Sequence, residues 1–359
     1  MPALSPVQPA AAQHLLIPFA VCSAPAWLAS MKALPPASTR NLGQLLRGMA
    51  PVHTDTGDEH SLSPPHERAL ARALGLAGAD TPDGLIPWAA HEAAAQLQAD
   101  GSKGWAWVTP CHWAMGREHA TLTDPAALAL TGEESRTLLT AMQPYFETDG
   151  ITLHDLQPGR WLAEGEPFRH LPTASLDRVL GRNVDAWLPD TKTAAAGKFS
   201  AGPPQGKLAS SGGNELHEVK SVGARMRRLQ NEMQMLLYTH PLNDERAARR
   251  QLPVNSFWLS GTGALPGVQA AASPEISVPR SLAQAVFADD WAAYSEAWAR
   301  LDAGEIASLL QRQRAGEPVR LTLCGERGAQ TLDSRKTGLF SRITSLFGPQ
   351  PIWNMREQL

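Results

Sequence analysis

Apolar positions recur at two different periods along the 359-residue chain, and the periods sort its segments into strands and helices. Leu15 to Val21 form a short continuous apolar run, which predicts a first strand buried on both faces. In "SPPHERALARALGL", Leu70, Ala73, Leu74 and Leu76 follow paired prolines, the pattern of a short amphipathic helix. Another helix begins near Pro87, because proline is tolerated in a first helical turn. Trp105, Trp107 and Val108 predict a strand that Pro110 closes. Thr131 or Gly132 caps a helix whose Glu133 and Glu134 favour the N-terminal dipole. "GITLHDL" and "GRWLAEG" then read as a hairpin.

A different texture occupies residues 191–217, where Ala, Gly, Ser and Pro dominate without an apolar face, as in a flexible linker or an insertion. The expected organisation is an N-terminal α/β region over 12–190, that linker, a C-terminal α/β region over 218–333, and an amphipathic tail over 334–359. In the C-terminal region Val219, Val222, Met226, Leu229, Met233, Leu236 and Leu237 make the buried stripe of a long helix that Pro241 stops. Asn243 is expected to cap a second, short helix, with Asp244 and Glu245 in its first turn. The strand "VNSFWLS" and a glycine turn "GTG" follow, then the helical "DDWAAYSEAWARLDAGEIASLLQRQ" and the strand "PVRLTLCGERG". Strands and helices alternate irregularly, so the fold class is mixed α/β. In the tail, Leu339, Phe340, Ile343, Leu346 and Phe347 lie among Arg335, Lys336 and Arg342, a pattern that suits an anionic membrane surface, a partner groove or packing onto the chain itself.

Composition narrows the function classes. A formal net charge of -3 supplies no basic field, so a nucleic-acid partner is not expected. Cys22, Cys111 and Cys324 are widely spaced and form no CxxC pair, which argues for a reducing cytoplasm and against a zinc ribbon. The apolar stretch "HLLIPFAVCSAPAW" has no Lys or Arg ahead of it and Pro18 interrupts it, so neither a signal peptide nor an integral membrane span is expected.

Candidate chemistry is sparse. "LPVNSFWLSGTGALPG" carries Gly261, Gly263 and Gly267, but Pro266 stands where a dinucleotide fingerprint needs glycine, and no P-loop Lys follows. Two readings of this stretch remain: a tight turn, or an anion-binding nest of backbone N–H groups. "HTDTGDEH" is rich in metal-binding types yet lacks periodic support, so it is expected to be a loop and no metal is assigned. His112 and His119 lie near the end of a strand, where acid–base or anion-binding groups are often displayed. Cys111 beside His112 points to the opposite face and is expected to be structural. Glu232, on an otherwise apolar helix, calls for a partner such as Arg246 or a His. His240, Asn243, Asn255 and Ser256 complete the polar candidates; with Gly261 and Gly263 they are expected to line one pocket. GxSxG, HExxH and SxxK are all absent.

Taken together, "RLQNEMQMLLYTHPLN", "LPVNSFWLSGTG" and "TPCHWAMGREHATLTDP" resemble a bacterial family described as RpfE-type regulatory proteins and often labelled phosphoglycerate mutase, over roughly residues 60–330. The resemblance implies a reduced relative of the alkaline-phosphatase superfamily, to which archaeal-type cofactor-independent mutases belong. Those mutases use two divalent metals and a nucleophilic Ser. Here "TDGITLHD" keeps only the Asp-Gly of that start and no Asp-His pair follows. The expectation is therefore a regulatory or accessory protein that binds a small anionic or phosphorylated ligand without a cofactor. Two rivals stand beside it: an active phosphotransferase or hydrolase, and a protein-interaction module.

Overall fold

The computed structural model describes residues 12–189, 212–266 and 275–334. Strand β1 (Gln13–Ile17) leads through α1 (Pro25–Ala33) and α2 (Arg40–Arg47) to β2 (Ala50–Thr56). Next come α3 (Pro65–Leu74), α4 (Trp88–Gln96), β3 (Trp105–Cys111), β4 (Trp113–Met115), β5 (Ala120–Leu122) and α5 (Gly132–Glu147). After them run β6 (Thr152–Gln157), β7 (Arg160–Glu164), the one-turn α6 (Leu176–Val179), α7 (Gly212–Tyr238), α8 (Pro241–Ala248) and β8 (Ser256–Gly263). The last described elements are β9 (Ile276–Ser277), α9 (Ser281–Phe287), α10 (Trp291–Leu301), a π turn (Asp302–Ile306), α11 (Ala307–Arg314), β10 (Val319–Cys324) and β11 (Gly328–Asp333). Mixed α/β is the class these elements make.

They gather into two compact units, each assembled from separate stretches of chain. The first takes the described parts of Met1–His60, Pro64–Leu74 and Ala272–Leu359; the second takes those of Ser61–Ser63 and Gly75–Ala271. A division into N- and C-terminal halves therefore does not hold. The cause is strand pairing: β1 lies parallel to both β10 and β9, which draws the two ends of the described chain into one sheet. Of the expected linker, residues 212–217 belong to α7, and 191–211 lie outside the described residues. The tail beyond Ser334 and Gly267 also lie outside them.

In the first unit the strand order is β2-β11-β10-β1-β9, with β11 antiparallel to both of its neighbours. Leu15, Ile17, Leu321 and Leu323 join α1, α2, α10 and α11 in one core, while Leu16 and Cys324 pack with Ala69 of α3 on the other face. Burial on both faces is why β1 reads as an unbroken apolar run. The strand ends at Ile17, earlier than expected, and Phe19 just beyond it holds a left-handed φ of 53°. "HTDT", expected as loop, is the end of β2; this edge strand is largely exposed, so it has no apolar alternation to read.

The second unit is built on an antiparallel sheet, β6-β7-β3-β8. Ala106, Val108, Leu153, Trp161, Phe257 and Leu259 on one face meet Leu138, Met142 and Phe146 of α5 and the stripe Met226, Leu229, Met233 and Leu237 of α7. Thr131 caps α5 in a full capping box with Glu134. Pro110 does not end β3 but sits inside it, beyond the last pair that β3 makes with β7. Among the described residues no helix is long and apolar enough to cross a membrane.

His14 is 4% exposed, and its Nε2 lies 2.8 Å from Thr322 Oγ1. Burial, aided by the Arg320 charge, lowers its pKa to about 4. In the unfolded chain the imidazole takes up a proton near pH 6.5, so between those values the unfolded state binds more protons and stability rises with pH. Stability from this group is complete above about pH 6.5 and is lost as the pH falls toward 4. Urea unfolding at pH 7 and pH 5 is expected to show that loss in the native chain and a flatter dependence in His14→Gln. Equal pH dependence in the two proteins would remove His14 from the account.

Candidate functional site

Four of the residues singled out in the sequence, His112, Asn243, Arg246 and Asn255, do converge, but on the chain's own backbone. The loop between α8 and β8 is clamped from several sides. Arg246 Nε donates to Leu252 O at 2.8 Å, and His112 Nδ1 lies 2.9 Å from Pro253 O. Asn243 donates to Leu237 O and Val254 O, both at 2.7 Å, and accepts from Val254 N at 2.9 Å. Asn255 takes Trp113 N at 2.7 Å and returns a bond to Trp113 O at 3.0 Å. Buried backbone polar groups need partners, and these side chains supply them. Asn243 is therefore not the cap of α8. His240 fills that role, its Nδ1 accepting from Leu242 N at 3.2 Å, with Pro241 at the first helical position.

Arg246 is fully buried, and its ion-pair partner is Glu134 at 2.9 Å rather than Glu232. Glu134 also holds Arg249 at 2.5 Å. Burial pushes the Glu134 carboxyl up, but the Thr131 N–H bond and the two guanidinium charges outweigh it and hold the group below the usual carboxylate range. Glu232 is half-buried on α7, 3.8 Å from Arg228. His119 stands exposed where Gly116 N bonds His119 O across the β4–β5 hairpin. Ser256 is buried at the start of β8, opposite Cys111. All three cysteines are buried, and burial pushes their thiols well above the ordinary range, so none offers a thiolate.

The stretch that carries Gly261 and Gly263 is strand rather than turn. It lies within β8, where the register against β3 shifts: Trp105 faces Gly263 while Trp107 faces Ser260. One extra residue on β8 makes a bulge, and Gly261 takes it up with φ 64°. A Cβ on Gly261 would lie 2.7 Å from the Trp107 ring. That indole is fixed from its other sides, donating to Glu92 at 2.5 Å and stacking under the Arg160 guanidinium at 4.8 Å. A strand rises about 3.3 Å per residue, so Ser256 and Gly263 sit roughly 20 Å apart. Ser256 and Gly263 thus lie at opposite ends of β8, while His240 caps α8 and Asn255 bonds Trp113. Thr262, which carries no sequence signal, is the polar hub here, bonding Leu171 O at 2.6 Å and Thr173 Oγ1 at 2.9 Å.

An opening of about 630 Å³ in the second unit is lined by Thr148, Asp149, Ser221, Ala224, Arg225 and Arg228. Arg228 Nη2 lies 2.7 Å from both oxygens of Asp149, whose side chain is 8% exposed, whereas the Arg228 side chain is 54% exposed. Arg225 approaches the same carboxylate at 3.9 Å. The fixed carboxylate thus orients two guanidinium groups that still face the opening, beside two hydroxyls. Two guanidinium groups and two hydroxyls around one opening suit binding of an anion.

No family model matches the chain, and no curated protein matches it. Among solved structures it is similar to the PH0037 protein from Pyrococcus horikoshii, at 11% identity over 90% of this chain and 87% of that one, with a TM-score of 0.42. It is also similar to the cofactor-independent phosphoglycerate mutase from Thermoplasma acidophilum DSM 1728, at 12% identity over 90% of this chain and 89% of that one, with a TM-score of 0.32. Likeness of this degree establishes no shared activity.

Two substitutions test the structural roles assigned above. Gly261→Ala forces a side chain into positive φ and against an immovable indole, and is expected to cost about 2 kcal/mol or more in chemical denaturation. A cost near zero would show that Trp107 yields. Arg246→Met leaves Glu134 buried without its main partner and is expected to cost about 3–5 kcal/mol. A change below about 1 kcal/mol, measured the same way, would show that Arg249 alone satisfies the carboxylate.

Proposed function

We propose that this chain binds a small anionic or phosphorylated ligand in a regulatory or accessory role in the bacterial cytoplasm, and that Arg225 and Arg228 recognise the anion. What carries the reading is the pairing of two half-exposed guanidinium groups with the Thr148 and Ser221 residues around one opening. Planar, always-charged guanidinium groups bind carboxylate and phosphate in paired hydrogen bonds. The buried, unpaired cysteines support a reducing compartment. The regulatory role leans on the likeness of the motif blocks to RpfE-type proteins. A non-catalytic role is favoured because the carboxylate in the lining, Asp149, is already engaged by Arg228 and Arg225. One observation favours the interaction module as a second reading: Met235 and Tyr238, one turn apart on α7, are 73% and 87% exposed.

Calorimetric titration of the full chain with inorganic phosphate and with 3-phosphoglycerate tests the proposal. Saturable binding at low salt is expected, weakening as salt is added. Replacing both Arg225 and Arg228 by Ala is expected to reduce affinity at least tenfold, about 1.4 kcal/mol. Unchanged affinity in the double variant would overturn the site. Turnover of 3-phosphoglycerate with added Mn²⁺ would overturn the non-catalytic role.

A further inference from the structure

The first unit has an opening of its own, unrelated to the arginine pair. It measures about 400 Å³ and lies between one face of the helical segment after α10 and the start of β1 with its neighbour β9. From the helical side Gly304, Glu305, Ser308, Leu309 and Arg312 line it, and Gln13, His14, Leu15 and Ser277 line it from the strand side. Positions 305, 308, 309 and 312 follow the three- and four-residue spacing of a single helix face. Leu15 and Leu309 are buried and form the apolar floor; Ser277, Glu305, Ser308 and Arg312 are exposed at the rim.

Charge is distributed unevenly along this groove. Glu305 stands at one end and Arg312 at the other, seven residues or about 10 Å along the helix axis. Glu305 lies in the π turn Asp302–Ile306, a helical irregularity often associated with function. The turn is held firmly, because Asp302 is 2% exposed and its carboxylate accepts Asn41 N at 3.1 Å and Leu42 N at 2.8 Å. Among the described residues Arg312 pairs with Glu317 at 3.2 Å, in a half-exposed pair of the kind that contributes little. The groove therefore has no net formal charge, separated ends of opposite sign and an apolar middle. A polyanion does not match that pattern. An extended chain advances about 3.3–3.6 Å per residue, so about three residues bridge the two charges.

We propose that this groove binds a short linear zwitterion, a peptide of about three residues, with its ammonium group on Glu305, its carboxylate on Arg312 and a side chain over Leu15 and Leu309. Ser277 and Ser308 flank the peptide backbone. The volume falls in the range of ordinary ligand pockets.

The test is calorimetric titration of the full chain, in phosphate-free buffer, with trialanine and with trialanine acetylated and amidated at its ends. Saturable one-to-one binding of free trialanine is expected, and at least tenfold weaker binding of the capped form. Glu305→Gln and Arg312→Gln alter exposed side chains and are each expected to weaken free trialanine about tenfold while leaving the thermal midpoint unchanged. No binding of free trialanine at millimolar concentration overturns the proposal, as does equal binding of the capped peptide. It is also overturned if the two variants retain full affinity, or if free alanine binds as tightly as trialanine. Phosphate binding is measured separately, so the failure of either site is read without the other.

Discussion

A guanidinium group taken wholly out of water organises the second unit. Arg246 is fully buried, and moving such a charge out of water costs several kcal/mol unless acceptors replace its solvent. They come from three directions: Leu252 O, Leu128 O and the Glu134 carboxylate. Each acceptor belongs to a different part of the unit, so the loop before β8, the turn before α5 and α5 itself are all tied to α8. Glu134 serves twice, as the reciprocal partner in the α5 capping box and as the counter-ion of Arg246. The depressed pKa of its carboxyl is the electrostatic expression of that double use.

Consequences follow for β8, which begins where this network ends. With Val254 and Asn255 fixed through Asn243 and Trp113, the register of β8 against β3 is set at its first residues. The bulge at Gly261 then absorbs the mismatch created by a strand that must pass the Trp107 ring.

Which of these features were legible in the sequence depends on how far their causes lie along the chain. The α5 cap, narrowed to Thr131 of the two residues expected, and the α7 stripe at Val222, Met226, Leu229, Met233 and Leu237 have local causes and read correctly, whereas β1 ends at Ile17, short of the expected Val21. The bulge does not read correctly, because Gly261 looks like a turn glycine until Trp107, far away in sequence, is placed opposite it. His240 was missed as a cap because a His beside a Pro resembles a stop signal. β2 was missed because an exposed edge strand carries no alternation. The discontinuous units were invisible for the same reason: only the pairing of β1 with β10 reveals them. At the candidate site the bias was systematic. Polar residues in apolar surroundings, such as Asn243, Arg246 and Asn255, attract attention because burying them is costly, yet the structure offsets that cost by using them as internal fasteners. Arg225 and Arg228 were passed over because charged residues on an exposed helix face are common and carry no sequence signal.

Energetics separates these two kinds of residue more cleanly than position does. Removing a fastener such as Arg246 strands a buried carboxylate and backbone carbonyls, so its loss is felt as instability before any effect on function can be read. Arg225 and Arg228 are 41% and 54% exposed in their side chains, so each guanidinium keeps much of its solvent while a carboxylate that is itself nearly buried holds it in place. Such orientation suits the proposed anion site, because a ligand would meet a guanidinium whose rotamer freedom is already restricted. The chemistry of this unit is accordingly sought at its half-exposed charges, and its stability at its deeply buried ones.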